Sequence, residues 1–324
     1  MDNRSTPLLH LFFSLQLIAL VGLVLILATV ILSGGISRRH PTWINFIIAW
    51  IISCTSYILL LGHPLSWNPP YELCLAQAAL VYTVPSLAAA ATFALILHIT
   101  MFFRASFSLP DSNSRAPYLT FWLVALPYIP AIIMFGYSLG VGLKDPEGVT
   151  RLESGMYCHL DNGLPGKLSS ALVLVFTSLC ILLELYLLWN GGNGLSMFGH
   201  VKATLIRVLG FSAFVIVAVV LSLIFFFADD HGPALSIIIA LVPNAAVLVF
   251  GTQDDLLRAW ASLFRSIFTF LRPKRTQTSS DGVSIPLSQP TPSSSPVILN
   301  HGPGFSSRTS QVSDTSRTST IVTK

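Results

Sequence analysis

Two ionisable side chains, Glu184 and His98, fall inside long apolar runs of the sequence. A titratable group held in hydrocarbon is costly, so its default reading is functional. Their alternatives are structural: Glu184 reaching a membrane interface or pairing with a base such as Lys202, and His98 as a neutral, hydrogen-bonded core residue. Four cysteines are the other reactive groups. Cys54 and Cys180 lie within apolar runs and read as small packing residues, whereas Cys74 and Cys158 lie at or beyond the ends of such runs. Chemistry of other kinds is missing. Residues 233–252 hold no Lys for a Schiff base. The 8 histidines are scattered, mostly over loops and segment ends, and no cluster of His, Asp and Glu sits at one depth, as a metal centre needs. Gly191, Gly192 and Gly194 lack the Lys-Ser/Thr continuation of a phosphate loop. No catalytic residue, metal or cofactor is expected.

The elements that must carry these residues follow from composition. Only 10% of the 324 residues are charged and 53% are hydrophobic, with mean hydropathy +0.71. A soluble domain carries about 25% charge, so a water-soluble enzyme is excluded and an all-α membrane protein is expected. Crossing about 30 Å of hydrocarbon takes roughly 20 apolar residues. Seven stretches qualify, near 11–33, 42–62, 73–103, 117–141, 168–190, 203–228 and 233–252. In lipid only a helix satisfies its own backbone. The first stretch is too long for a signal peptide and lacks a cleavage site. Four residues, Asp229 to Gly232, join the sixth and seventh in a tight hairpin.

Charge sets the orientation. With residues 1–10 outside, the inner face and tail hold 14 of the 18 Lys and Arg, while eight acids face four bases outside. The expectation is N-out and C-in, a multi-pass protein of the plasma membrane. The pI near 9.0 reflects that cytoplasmic bias and not a nucleic-acid face. Residues 254–271 place Leu256, Leu257, Trp260, Leu263, Phe264, Ile267 and Leu271 on one helical face and Arg258 and Arg265 on the other. That pattern predicts an amphipathic eighth helix along the inner leaflet, begun by Asp254 and Asp255 where the helix dipole favours acids. From 276 to 324, 21 of 49 residues are Ser or Thr, the composition of a disordered tail. Asn3-Arg4-Ser5 is a glycosylation sequon.

Cys74 opens the third span at its outer end, and Cys158 lies in the longest outer loop. Both face the oxidising side, where disulfides persist. A bridge would pin that loop over the bundle; the alternative is two free thiols.

Seven spans, an outer N-terminus and these two cysteines together resemble a G-protein-coupled receptor. Trp67, seven residues before Cys74, and Trp122 in the fourth span are similar to tryptophans of the rhodopsin-like class. The run Pro243-Asn244-Ala245-Ala246 to Phe250-Gly251 resembles the seventh helix of fungal cAMP-receptor-like and nutrient-sensing receptors. Pro41 to Trp50, PTWINFIIAW, is similar to seven-helix receptors of basidiomycete fungi. The likeness covers about residues 10–270. It departs where His98-Ile99-Thr100 replaces the acidic-Arg-Tyr triplet, where the spans hold no Asp, where the sixth span has no proline, and where the seventh lacks Asn-Pro-x-x-Tyr.

The resemblance implies a receptor that passes an outer ligand's signal to a Gα subunit. Gln77, Val81, Tyr82 and Pro85 follow Cys74 at offsets of 3, 7, 8 and 11 on one face and, with Trp67, would line a ligand cavity; packing against lipid or other helices is the alternative. Coupling would fall to Arg104, Lys202 and Arg207 with His98 and Glu184 behind them, and a hinge to Pro243 and Asn244. The tail's Arg-Thr-Ser sites at 308–310 and 317–319 would take phosphate and recruit a desensitising partner. Competing readings are a seven-span small-molecule or lipid transporter, disfavoured by the lack of a polar mid-membrane path, and a seven-helix protein that does not signal.

Overall fold

The computed structural model describes residues 5–32, 39–63, 67–107, 116–152, 154–191, 209–217, 219–220 and 233–271. Helix dominates them. In chain order these are α1 (Ser5–Leu32), α2 (Pro41–Tyr57), α3 (Tyr71–Phe107), α4 (Ala116–Ala125), α5 (Tyr128–Lys144), α6 (Leu164–Gly191), α7 (209–217), α8 (Pro233–Gly251) and α9 (Asp254–Leu271). Between α5 and α6 lies a hairpin of β1 (Val149–Arg151) and β2 (Cys158–Leu160).

Four segments are long and apolar enough to cross a membrane: Pro7–Leu32, Tyr71–Arg104, Tyr118–Lys144 and Leu164–Trp189. Ser236–Gly251 and Asp254–Ser262 pass only together, and they are bent by 79°. α2 is shorter than the expected 42–62. It begins with Pro41 at its first turn behind the His40 cap, where a missing N–H costs nothing. It ends after 17 residues, about 25 Å at 1.5 Å per residue, and turns follow to Gly62, whose φ is 87°. Most of the expected sixth span lies outside the described residues, as do Asn3, Lys202, Arg207 and the whole tail from 276.

α3 is the central helix. Ala78, Ala79, Ala88, Ala90, Ala91 and Ala94 are all buried along it, and such small side chains let neighbouring backbones approach closely. α2, α5, α6 and both hairpin strands pack on it. Pro85 lies inside α3; having no N–H, it leaves the Val81 carbonyl without its helical donor. The Ser86 hydroxyl turns back to the Thr83 carbonyl at 2.8 Å.

The expected fourth helix, 117–141, is broken in two at Leu126–Pro127. Pro127 and Pro130 remove two backbone donors there. Asn45 of α2 fills part of the gap: its Nδ2 donates to the Val124 carbonyl at 3.2 Å, and its Oδ1 accepts from the Tyr128 hydroxyl at 2.6 Å. Trp122 is exposed on this segment and makes edge contacts with Tyr118 and Phe121.

α1 and α8 run in parallel. Phe12 shares a cluster with Ala240, Gly22 meets Val247, and Gly251 meets Ile26. A Cβ on Gly22 would lie 2.7 Å from Val247 Cγ1, and a β-branched side chain has little freedom to yield. Gly22→Ala should therefore destabilise the protein by about 1 to 3 kcal/mol, more than offsetting the roughly 1 kcal/mol gained in helix propensity. Gly136→Ala, with nothing within 4 Å, should be neutral or stabilising. Thermal exposure of the buried thiols of Cys54 and Cys180 to a fluorogenic maleimide measures both; equal midpoints for the two variants would contradict the close α1–α8 packing.

Candidate functional site

At one end of the bundle the β1–β2 hairpin is fastened to α3. Cys74 and Cys158 form a disulfide with S–S 1.98 Å and Cα–Cα 5.3 Å. Of the two readings open in the sequence, free thiols or a bridge, the bridge is the one present. The strands pair antiparallel, with Arg151 opposite Cys158 and Val149 opposite Leu160.

Gln77, one turn after Cys74, is fully buried. Its Nε2 donates to the Ser56 carbonyl at 3.2 Å, and its Oε1 accepts from the Cys158 backbone N–H at 3.1 Å. A further turn along, the Tyr82 hydroxyl accepts from the Leu160 N–H at 3.2 Å. Gln77 and Tyr82 thus share a face of α3, as their offsets predict, and that face holds the hairpin's backbone. Val81 is buried in one cluster with Phe12 and Tyr57, and Pro85 is half-buried. The Trp67 ring stacks on His63 at 3.8 Å between centroids, and its carbonyl accepts from Arg151 Nη1 at 3.2 Å.

The hairpin tip turns into the bundle. Gly155, at φ 72°, takes the left-handed conformation that glycine tolerates best, and its carbonyl accepts from Arg151 Nε and Nη2 at 3.0 and 2.7 Å. Burial lowers the Arg151 pKa from its usual value. Met156 is fully buried. The Tyr157 ring lies 6.3 Å from that of Phe12 and 5.6 Å from that of Tyr57, and its hydroxyl is 3.4 Å from Ser236 Oγ. Burial raises the Tyr157 pKa, with the Ser236 hydrogen bond opposing. The tip therefore touches α1, α2 and α8 while the disulfide holds it to α3.

At the opposite end the His98 ring stacks on His40 at 3.5 Å with 14° between planes. His40 Nδ1 lies 2.8 Å from Thr42 Oγ1 and its Nε2 3.4 Å from Thr120 Oγ1. Burial holds the His40 pKa below 6.5, which favours the neutral ring beside a second imidazole. Arg104 sits over the Tyr186 ring at 5.6 Å, joining α3 to α6. Glu184 of α6 accepts a short hydrogen bond from Ser212 of α7. Asn244 Nδ2 donates to the Leu15 carbonyl at 3.0 Å and to the Ala240 carbonyl at 2.8 Å; beside Pro243, it straps α8 to α1. Arg39 pairs with Asp255 and lies 5.4 Å over Trp43, and Trp260 Nε1 donates to Thr29 Oγ1 at 2.9 Å. These last contacts fix the start of α9.

Sequence reasoning missed the hairpin, the His40–His98 stack, the Asn45–Tyr128 pair and the Arg39–Asp255 pair. The side chains in each of the three pairs come from different elements, and the hairpin is only three residues per strand. Among the described residues no three of His, Cys, Asp and Glu come together as a metal site. Polar contacts therefore tie the helices together at both ends of the bundle.

Removing the bridge by Cys74→Ser with Cys158→Ser should lower stability by about 2 to 4 kcal/mol. Gln77→Leu should cost about 1 to 3 kcal/mol by leaving the buried Cys158 N–H without an acceptor. Because both act on one hairpin, the combined variant should lose less than the sum; strict additivity in thermal unfolding would contradict a shared clamp. The chain matches no protein-family model and no curated protein.

Proposed function

We propose that this protein is a seven-helix receptor of G-protein-coupled type, with its hairpin end outside the cell and its His40–His98 end in the cytoplasm. One observation carries the reading. The hairpin, tied to α3 by Cys74–Cys158, inserts Met156 and Tyr157 among α1, α2 and α8. A ligand acting on that surface would move a segment in contact with four helices at once, and so would bias a two-state bundle.

Several features support the rest of the reading. α2 and α8 complete the bundle as short spans, with α7 as part of the sixth. α9 bends away from α8 after Gly251, buries Leu256, half-buries Trp260 and exposes Arg258 and Arg265. Such a helix suits the inner lipid interface. The Arg104–Tyr186 and Glu184–Ser212 contacts join α3 to α6 and α6 to α7, where opening would admit a Gα subunit. Lys202 and Arg207 lie beside these in sequence. Phosphorylation of the Ser/Thr-rich tail would end the signal by recruiting a desensitising partner.

Nucleotide exchange on a co-expressed fungal Gα tests the proposal. Exchange should exceed that of membranes lacking the protein, and Arg104→Ala, Lys202→Ala and Arg207→Ala together should reduce it about 10-fold, equivalent to roughly 1.4 kcal/mol of coupling. No exchange on any Gα, with the triple variant indistinguishable from the parent, would overturn it.

A further inference from the structure

α2 and α3 leave a groove of about 210 Å³ between them. Ile51, Ile52, Thr55, Ser56 and Leu59 form one wall, and Leu80 of α3 forms the other. Thr55 is exposed, while Ile51, Ile52, Leu59 and Leu80 are half-buried. The groove is thus a recess in the side of the bundle and not a void in its core. An apolar cavity of ~150 Å³ already holds a benzene ring, so this recess has room for a longer run of carbon.

Its walls select an aliphatic guest. The two hydroxyl protons beside it are already engaged: Thr55 Oγ1 donates to the Ile51 carbonyl and Ser56 Oγ to the Ile52 carbonyl, each at 2.8 Å. The Ser56 carbonyl in turn accepts from Gln77 Nε2 at 3.2 Å. None of the lining residues carries a charge. What the groove offers is methyl and methylene surface, which binds other apolar surface and holds no charged or strongly polar group.

Depth identifies the source of that guest. α2 has 17 helical residues, about 25 Å, against about 30 Å of hydrocarbon. The chain leaves the helix after Tyr57 and turns through Leu61 and Gly62, both exposed. The His63–Trp67 stack follows, and tryptophan is enriched where membrane meets water. The groove therefore lies in hydrocarbon just below that interface, where the aliphatic matter outside the protein is lipid chain. A span too short for the bilayer makes the lipids beside it adapt, and a recess at this place lets one chain lie along the protein.

We propose that the α2–α3 groove holds one acyl chain of an outer-leaflet phospholipid. The chain lies against Ser56, whose carbonyl anchors the Gln77 amide that also accepts from the Cys158 N–H. The lipid thus backs the clamp that fastens the hairpin to α3. The proposal rests on α2 spanning the membrane with the hairpin end outside, as in the reading above. It does not rest on G-protein coupling, and its test measures no nucleotide exchange, so either can fail alone.

The full chain in phosphatidylcholine nanodiscs, one copy in each, is the material. The probe is a phosphatidylcholine carrying a diazirine partway along one acyl chain, with labelled residues mapped by mass spectrometry after irradiation. Ile132 and Ile133 of α5, 71% and 65% exposed, report ordinary lipid contact. Label at Ile51, Leu59 and Leu80, although these are less exposed, should exceed theirs by about 5-fold. Thr55→Phe fills the recess and should remove the excess; Thr55→Leu serves if the phenylalanine variant exposes the buried Cys54 and Cys180 thiols. Thr55→Val keeps the shape without the hydroxyl and should retain the excess. Equal labelling of groove and α5 in the parent, or an excess that persists in a folded, filled variant, would overturn the proposal. So would displacement of the label by cholesterol, which assigns the groove to a sterol, and loss of the excess in Thr55→Val, which assigns it to a polar group. Loss of the excess only in nanodiscs holding two copies would give the groove to a second copy and overturn it as well.

Discussion

Where the backbone leaves the helix in an apolar interior, its N–H and C=O groups have no water to turn to. In this protein polar side chains stand at several such places and tie elements together there. Asn45 of α2 answers the break between α4 and α5. Asn244 straps the proline-loosened α8 to α1. Gln77 and Tyr82 of α3 hold the backbone of the hairpin. Each satisfies a local need, and each also ties two elements together. The breaks at Pro127 and Pro130 and the proline of α8 at Pro243 thus lie beside points of attachment between elements.

α3 gains most from this arrangement. Its alanine-lined face lets α2, α5 and α6 come close, which in lipid does more for association than further apolar area would. The same helix carries Cys74, Gln77 and Tyr82 near one end and His98 and Arg104 near the other. A displacement of the hairpin thus acts on the helix that also bears the His40–His98 stack and the Arg104–Tyr186 contact. That mechanical continuity is what supports the proposed signalling role.

Part of this was legible in the sequence. Cys74 and Cys158 declared themselves because both fall at the same end of apolar segments. The 254–271 helix declared itself through its sharp periodicity. Gln77 and Tyr82 were found by their offsets from Cys74, which place residues on a face; the offsets do not say what that face meets, and here it meets hairpin backbone. The length of α2 was overestimated because apolar residues continue past Tyr57 while the chain is already turning toward Gly62. The hairpin escaped notice because its strands of three residues are too short for an alternating pattern. The His40–His98 stack joins residues 58 positions apart in sequence, and no local period encodes such a pair.

The central claim is that the N-terminus and the hairpin lie on the same, outer face, which requires α2 to cross the membrane although it is short. Cysteines introduced at Asp2 and at Asn162, which is exposed beside the hairpin, can be labelled in intact cells with a membrane-impermeant maleimide. The native thiols give little background, since Cys74 and Cys158 are bridged and Cys54 and Cys180 are buried. The account predicts that both introduced cysteines react before permeabilisation. Labelling of one before and the other only after would place them on opposite faces, leaving three crossings between them and contradicting the seven-helix receptor.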